Sequence, residues 1–269
     1  MTTCGCGETI TSEAHAQRHA KECGLQGYPR GWAEKGRRPK LLDLFCGEGG
    51  AGEGYHRAGW DVFGIDTNRA RLNHYPFGWK HADALDYLLD HGHEYDAIHA
   101  SPPCQGYTRG TVALPDREER YDRLIGATRA ALESTGRPYV IENVEGAKRE
   151  LRTPILLCGR MFGLAAIDDD GTPLVMDRHR LFESNVFLTQ PEHQKHDRTL
   201  QVAGSYGGAR RDKDEARNVR KGGYVPSVDV QRALLGTPWM SEKGCQLSIP
   251  PVYTEFIGRQ LIEHLERAA

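Results

Sequence analysis

The chain lacks any apolar run approaching the ~20 residues that cross a bilayer. No membrane partner is therefore expected. Its first residues carry no apolar stretch behind a basic start, so a secretory signal is not expected either, and the cytoplasm is the expected compartment. It also lacks an excess of charge. Lys and Arg number 35 against 37 Asp and Glu, for a net charge of -2. That balance neither supports nor excludes a nucleic-acid partner, which needs only a local basic surface. Cysteines are few and odd in number, seven in all, with no regular spacing. In a reducing compartment such cysteines serve metal binding or catalysis better than disulfides. Internal repeats and long low-complexity runs are absent. What is present is a 269-residue chain that is 38% hydrophobic, enough for one large α/β domain with a small appendage.

Residues 1–40 differ from the rest, being polar, Cys/His-bearing and closed by a Gly/Pro/basic stretch. From residue 41 strand and helix patterns alternate. LLDLFC is an apolar run that enters a glycine-rich turn, GEGGAGEG, and DVFGID is a second strand. WKHADA and YDAIHA read as the third and fourth strands, with LDYLLDHG helical between them. A helix is predicted around 121–134, and RPYVIENV is a fifth strand. This alternation predicts a doubly wound, mostly parallel sheet, in which ligands bind beyond the carboxyl ends of the strands.

The chemically loaded residues fall at those ends. The first strand runs into Phe45, Cys46 and Gly47, and the glycines let the backbone approach a ligand closely. An ordinary turn would read the same way, and the pattern is not the dinucleotide-binding one. Asp66 ends the second strand, where an acid can accept hydrogen bonds from ribose hydroxyls. Asp83 ends the third, placed to meet an adenine amino group; for either aspartate the alternative is a helix N-cap.

The fourth strand ends in Ser101-Pro102-Pro103-Cys104-Gln105. Two prolines set the backbone direction just before the cysteine, which favours a reactive thiol over a structural one. A thiolate is the nucleophilic form, so the site must lower the thiol pKa or supply a base. Glu142-Asn143 ends the fifth strand. Beside a pyrimidine, a carboxyl group that keeps or shares a proton can hydrogen-bond N3, and partial burial favours that state.

Taken in order, DLFCGEGG, SPPCQ and ENV resemble the DNA cytosine-5 methyltransferase family. Arg178-His179-Arg180 is similar to the family's Gln-x-Arg-x-Arg motif, with Met176 in the Gln position. QLSIPPVYTEFIGRQLIEHL resembles the family's last motif, with Leu247-Ser248-Ile249 in place of Asn-Ser-Val. The resemblance covers roughly 41–185 and 228–267. It implies the fold of the S-adenosylmethionine-dependent methyltransferases and an enzyme acting as a monomer on double-stranded DNA. S-adenosylmethionine would bind at Phe45, Gly47, Gly49, Gly50, Asp66, Asp83, Pro103 and Ser248. Cys104 would attack C6 of a flipped-out cytosine, Glu142 would stabilise N3, Arg180 would contact O2, and Arg178 would position the loop or a phosphate. The polar stretch 105–120, with Gly106 and Gly110, would be the loop that closes over the base.

In that family a variable, sequence-reading domain lies between the Arg-x-Arg region and the last motif. Here the interval is short, 190–227, and carries Arg210, Arg211, Arg217 and Arg220. With Gln105 these are the candidate DNA contacts, although a charge run can equally be a solvated face. The expected divisions are 1–40, a Cys/His module and linker; 41–189, the catalytic domain; 190–227, the target-recognition region; and 228–269, the return to the catalytic domain. In the first, Cys4, Cys6, His19 and Cys23 form a metal-ligand pattern that suits one structural zinc ion, with His15 as a substitute ligand; the alternative is a frayed tail with stray thiols. His193 and His196 read as surface residues, with metal binding as the alternative. The rival functions are a tRNA cytosine-5 methyltransferase, transfer of a group other than methyl to C5, and a catalytically silent DNA-binding module.

Overall fold

The computed structural model describes residues 37–108, 121–205 and 224–268, and two short paired strands near the start of the chain, β1 (Thr2–Thr3) and β2 (Thr9–Ile10). The candidate zinc ligands Cys4, Cys6, His19 and Cys23 lie outside the described residues. So do Arg210, Arg211, Arg217, Arg220 and the part of the predicted closing loop from 109 to 120.

The first apolar run becomes β3 (Lys40–Leu44), an interior strand of the large sheet. Leu41, Leu42 and Leu44 are fully buried, as expected of a strand covered on both faces. The chain steps outward through β4 (Asp61–Asp66) and β5 (Gly78–His81), then crosses to β6 (Ala97–Ala100) and β7 (Tyr139–Asn143). All four join the sheet in parallel. Strand order reverses between β3 and β6, and this opens a crevice at the carboxyl ends.

Two further strands widen the sheet. They are β8 (Ile155–Leu157) and β11 (Arg180–Ser184), the latter antiparallel to both β7 and β8. The seven-stranded order is β5-β4-β3-β6-β7-β11-β8. A smaller sheet comprises β9 (Ala165–Ile167), β10 (Pro173–Val175) and β12 (Gln201–Val202). The interval 190–227 thus contributes β12 to a sheet whose other strands precede it.

Helices α1 (Gly50–Ala58) and α7 (Pro251–Ala268) cover one face of the large sheet. The short α2 (Arg69–Leu72) links β4 to β5. The opposite face is covered by α3 (Ala84–His91) and α4 (Ile125–Ser134). Two more helices, α5 (Val228–Leu235) and α6 (Glu242–Leu247), follow the small sheet, and residues of α5 and α6 share a core with Leu174, Met176 and Ala203. Among the described residues, no helix is long and apolar enough to cross a membrane.

One sequence expectation changes. The glycine-rich run read as a turn is a turn only as far as Gly49 and is helical from Gly50. Tertiary packing overrides glycine's poor helix propensity. A Cβ on Gly54 would lie 2.0 Å from the Pro251 carbonyl oxygen, so α1 and α7 approach too closely for a side chain there.

Candidate active site

A cavity of about 280 Å³ opens at the carboxyl edge of the sheet. Of the residues predicted to hold the cofactor, Phe45, Gly47, Gly50, Asp66, Pro103 and Ser248 line it. The predicted chemical residues Cys104, Gln105, Glu142 and Arg180 line the same cavity. The fold therefore brings together most of what the strand ends carried separately.

At one end the backbone does most of the shaping. Phe45 has φ 58°, a left-handed conformation that is uncommon for a residue with a side chain. Gly47 follows at φ 56° and donates its N–H to Asp66 Oδ2 at 2.9 Å. The other Asp66 oxygen accepts the Asn68 N–H at 2.7 Å. Asp66 thus braces the ends of β3 and β4 while its carboxylate borders the cavity. Nothing lies within 4 Å of where a Cβ on Gly47 would sit, so that wall is open to a ligand.

Asp43 also lines the cavity, and the sequence reading passed over it. It is fully buried, and burial raises its pKa to about 7 although the Tyr75 hydroxyl donates to it at 2.9 Å. Its Oδ1 has no hydrogen-bond partner in the protein. A buried polar atom left in this state beside a cavity fits a site that takes a polar ligand. The signal in the sequence was a charge inside an otherwise apolar strand.

At the other end side chains dominate. The Ser101 N–H donates to the Leu44 carbonyl at 3.2 Å, and Asn143 Nδ2 donates to the Pro102 carbonyl at 2.9 Å. The segment before Cys104 is thereby pinned to β3 and β7. Burial pushes the Cys104 thiol up, the Glu142 charge adds to this, and Arg180 and Arg178 oppose it. Glu142 is itself buried, and burial raises its pKa against the pull of Arg180 and Arg178. Arg180 Nε lies 3.0 Å from Glu142 Oε1.

Behind Glu142 runs a buried polar chain that the sequence reading also missed. His99 Nδ1 is 3.0 Å from the Tyr55 hydroxyl, and His99 Nε2 is 2.8 Å from Ser101 Oγ. Ser101 in turn hydrogen-bonds the Glu142 side chain. Burial lowers the His99 pKa to about 3, so the imidazole is neutral and has one N–H. With the Ser101 proton directed to Glu142, Nε2 carries that hydrogen and Nδ1 accepts from Tyr55.

Three predicted residues lie elsewhere. Arg178 is 4% exposed and donates to the carbonyls of Ser248, Ser205 and Gln246, each at 2.9 Å. It fastens the small sheet to the segment before α7, where the resemblance implied a role at the loop or a phosphate. Asp83 takes the alternative role weighed for it and caps α3, accepting the N–H groups of Leu85 at 2.8 Å and Asp86 at 3.1 Å. Gly49 caps α1 at φ 90°, against the ring of Pro76. Met176, in the Gln position of the motif, is buried in the small core, so packing replaces a hydrogen bond there. Glu48 joins the two parts of the molecule, since its carboxylate accepts the Ser241 N–H at 2.7 Å and hydroxyl at 2.6 Å.

No protein-family model matches the sequence, and no curated protein does. Solved structures do match. A DNA modification methyltransferase encoded within an E. coli prophage superposes with a TM-score of 0.53 at 15% identity, covering 85% of this chain and 99% of that one. The S. pombe Dnmt2 methyltransferase superposes with a TM-score of 0.52 at 14% identity, with the same coverages of 85% and 99%. The Entamoeba histolytica methyltransferase EhMeth does so with a TM-score of 0.52 at 10% identity, again covering 85% and 99%. At these identities the likeness is one of fold. The fold is therefore that of these methyltransferases, in agreement with the resemblance carried by the motifs.

Proposed function

We propose that this protein transfers a methyl group from S-adenosylmethionine to carbon 5 of a cytosine in double-stranded DNA. The observation that carries the proposal is that Cys104, Glu142 and Arg180 share one cavity with the Gly47 turn and Asp66. S-adenosylmethionine, when bound, supplies an electrophilic methyl group. Gly47 offers it an open backbone wall, Asp66 a carboxylate suited to ribose hydroxyls, and Asp43 an unpartnered oxygen.

The remaining steps belong to the chain's own residues. A stacked base does not expose its face, so the cytosine enters flipped out of the duplex. Cys104 adds to C6 as the thiolate, which moves electron density towards C5. The thiol proton leaves to solvent water through the open cavity. Glu142, inclined by burial to hold a proton, hydrogen-bonds N3 and stabilises the charge that addition places on the ring. Arg180, positioned by Glu142, contacts O2. After transfer, loss of the C5 proton and expulsion of Cys104 restore the ring. The Gln105 side chain, the arginines at 210, 211, 217 and 220, and the interval 190–227 as a whole are proposed to contact the DNA. The amino-terminal Cys4, Cys6, His19 and Cys23 are proposed to hold one structural zinc ion.

The test is bisulfite sequencing of DNA from cells expressing the protein, together with assays in vitro on duplex DNA and on tRNA. The expected result is 5-methylcytosine at a defined set of DNA sites and none in tRNA. Methylation of tRNA alone would transfer the chemistry to an RNA substrate. A product of different mass in the nucleoside digest would change the group transferred, and no product on either substrate would overturn the proposal.

A further inference from the structure

A second cluster of reactive side chains lies outside the cavity. Cys158 follows β8, His179 precedes β11, and His193 and His196 come from the stretch 187–198, which has neither helix nor strand. Their four ligand atoms all lie within 4.8 Å of one another. His179 Nε2 is 3.2 Å from His193 Nε2, which is 3.1 Å from His196 Nε2, which is 3.2 Å from Cys158 Sγ. A tetrahedral zinc ion bound by one thiolate and three imidazoles has ligand–ligand edges of about 3.3–3.5 Å, given bonds of about 2.0–2.3 Å.

The outward-facing nitrogens make the same case. His179 Nδ1 is 3.2 Å from Glu145 Oε2, and His196 Nδ1 is 3.1 Å from Asp177 Oδ2. Arg160 holds Asp177 in turn at 2.6 Å. A carboxylate behind each imidazole takes the Nδ1 hydrogen and turns the Nε2 lone pair inward, the usual outer shell of a metal-bound histidine. Both then converge on His193 Nε2, at 3.2 and 3.1 Å, so three imidazole nitrogens meet at one point beside Cys158 Sγ. A cation at that point would bind all three together with Cys158 Sγ, displacing the thiol hydrogen that is otherwise donated to the Asp177 carbonyl at 2.9 Å.

We propose that Cys158, His179, His193 and His196 bind one zinc ion. Four protein ligands close the coordination sphere, so the ion is structural. It ties the irregular stretch after β11 to the sheet edge beside Arg180. Leu188 and Gln190 anchor the start of that stretch, to the core and to the Leu156 N–H, but residues 192–195, which include His193, are exposed. The sequence reading took His193 and His196 as surface residues. His193 is exposed, but the fold sets both against a cysteine and a histidine distant in sequence.

The test uses the full chain without a purification tag, carrying Cys4→Ser, Cys6→Ser and Cys23→Ser, so that no amino-terminal thiolate contributes. Zinc content by mass spectrometry should be about one equivalent. Loading with Co²⁺ should give tetrahedral d–d bands and a sulfur-to-cobalt charge-transfer band. Adding Cys158→Ser should abolish the charge-transfer band. Adding His193→Ala and His196→Ala, outer residues whose loss should spare the far-ultraviolet circular dichroism, should remove the zinc. Less than a tenth of an equivalent in the parent chain, or an unchanged content in the folded double-histidine variant, would overturn the site.

Discussion

Two Arg–Glu pairs, one buried and one half-open, meet β11 from opposite faces of the sheet, and they differ in how completely they are satisfied. On the α4 face Arg129 grips Glu183 with two contacts, 2.6 and 2.7 Å. Glu183 also accepts the Arg152 N–H at 2.7 Å, and Arg129 also donates to the Glu150 carbonyl. On the α1 face Arg180 makes a 3.0 Å contact with Glu142, and both border the cavity. Burial raises the Glu142 pKa, whereas the Glu183 partnership holds the Arg129 guanidinium firmly charged. A saturated pair has no capacity left for a ligand and serves as scaffold. An open pair keeps donors and acceptors for a substrate.

Replacing Cys104, the proposed nucleophile, has the largest expected effect. Cys104→Ala should reduce methyl transfer by at least roughly a thousandfold while leaving S-adenosylmethionine affinity within about threefold, as read by label transfer and by calorimetry. Full activity in this variant would end the mechanism. Glu142→Gln comes next. It should lower turnover by about 10²–10⁴-fold with little change in the denaturation midpoint.

The other pair should behave in the opposite way. Glu183→Ala strands Arg129 in the interior and should cost about 3–5 kcal/mol of stability in chemical denaturation, with turnover per folded molecule nearly unchanged. A Glu183→Ala protein that folds normally but is inactive, or a Glu142→Gln protein that unfolds, would break the distinction between scaffold pair and open pair.

The smallest effect sharpens the contrast at the Asp43 end of the cavity. Asp43 titrates near 7 in the fold against 3.8 unfolded, because burial disfavours its charge. The folded state therefore binds the proton more tightly. That contribution to stability is fully present below 3.8 and is lost as pH rises through about 7. From pH 6 to 8 the parent protein should lose on the order of 1 kcal/mol more than Asp43→Asn, or about 2–4 °C in melting temperature. Parallel melting curves for the two proteins would show that the Asp43 carboxyl does not titrate in this range.

Much of the cavity lining was legible because parallel strands put their last residues on one edge. Asp66, Cys104 and Glu142 needed only the positions of β4, β6 and β7 to be gathered there. His99 and Ser101 were harder to read, since a histidine within AIHA gives no sign of pointing at Tyr55. Arg178 and Arg180 lie two residues apart in one motif, and only their surroundings separate a backbone fastener from a cavity residue. Asp83 had two readings of similar weight, and the start of α3 placed its carboxylate on the helix N–H groups.

The chain alone determined the strand and helix alternation, the glycine turn, and the residue types at the strand ends, because these follow from local periodicity and from backbone freedom at particular positions. Tertiary structure decided the rest. The antiparallel entry of β11 beside β7 set Arg180 on Glu142. Burial shifted Asp43 and Glu142 towards holding a proton and His99 towards the neutral imidazole. The closing of β8 against β11 brought Cys158 near His179. These outcomes depend on non-local contacts and on exclusion of water, and neither property belongs to a stretch of sequence taken by itself.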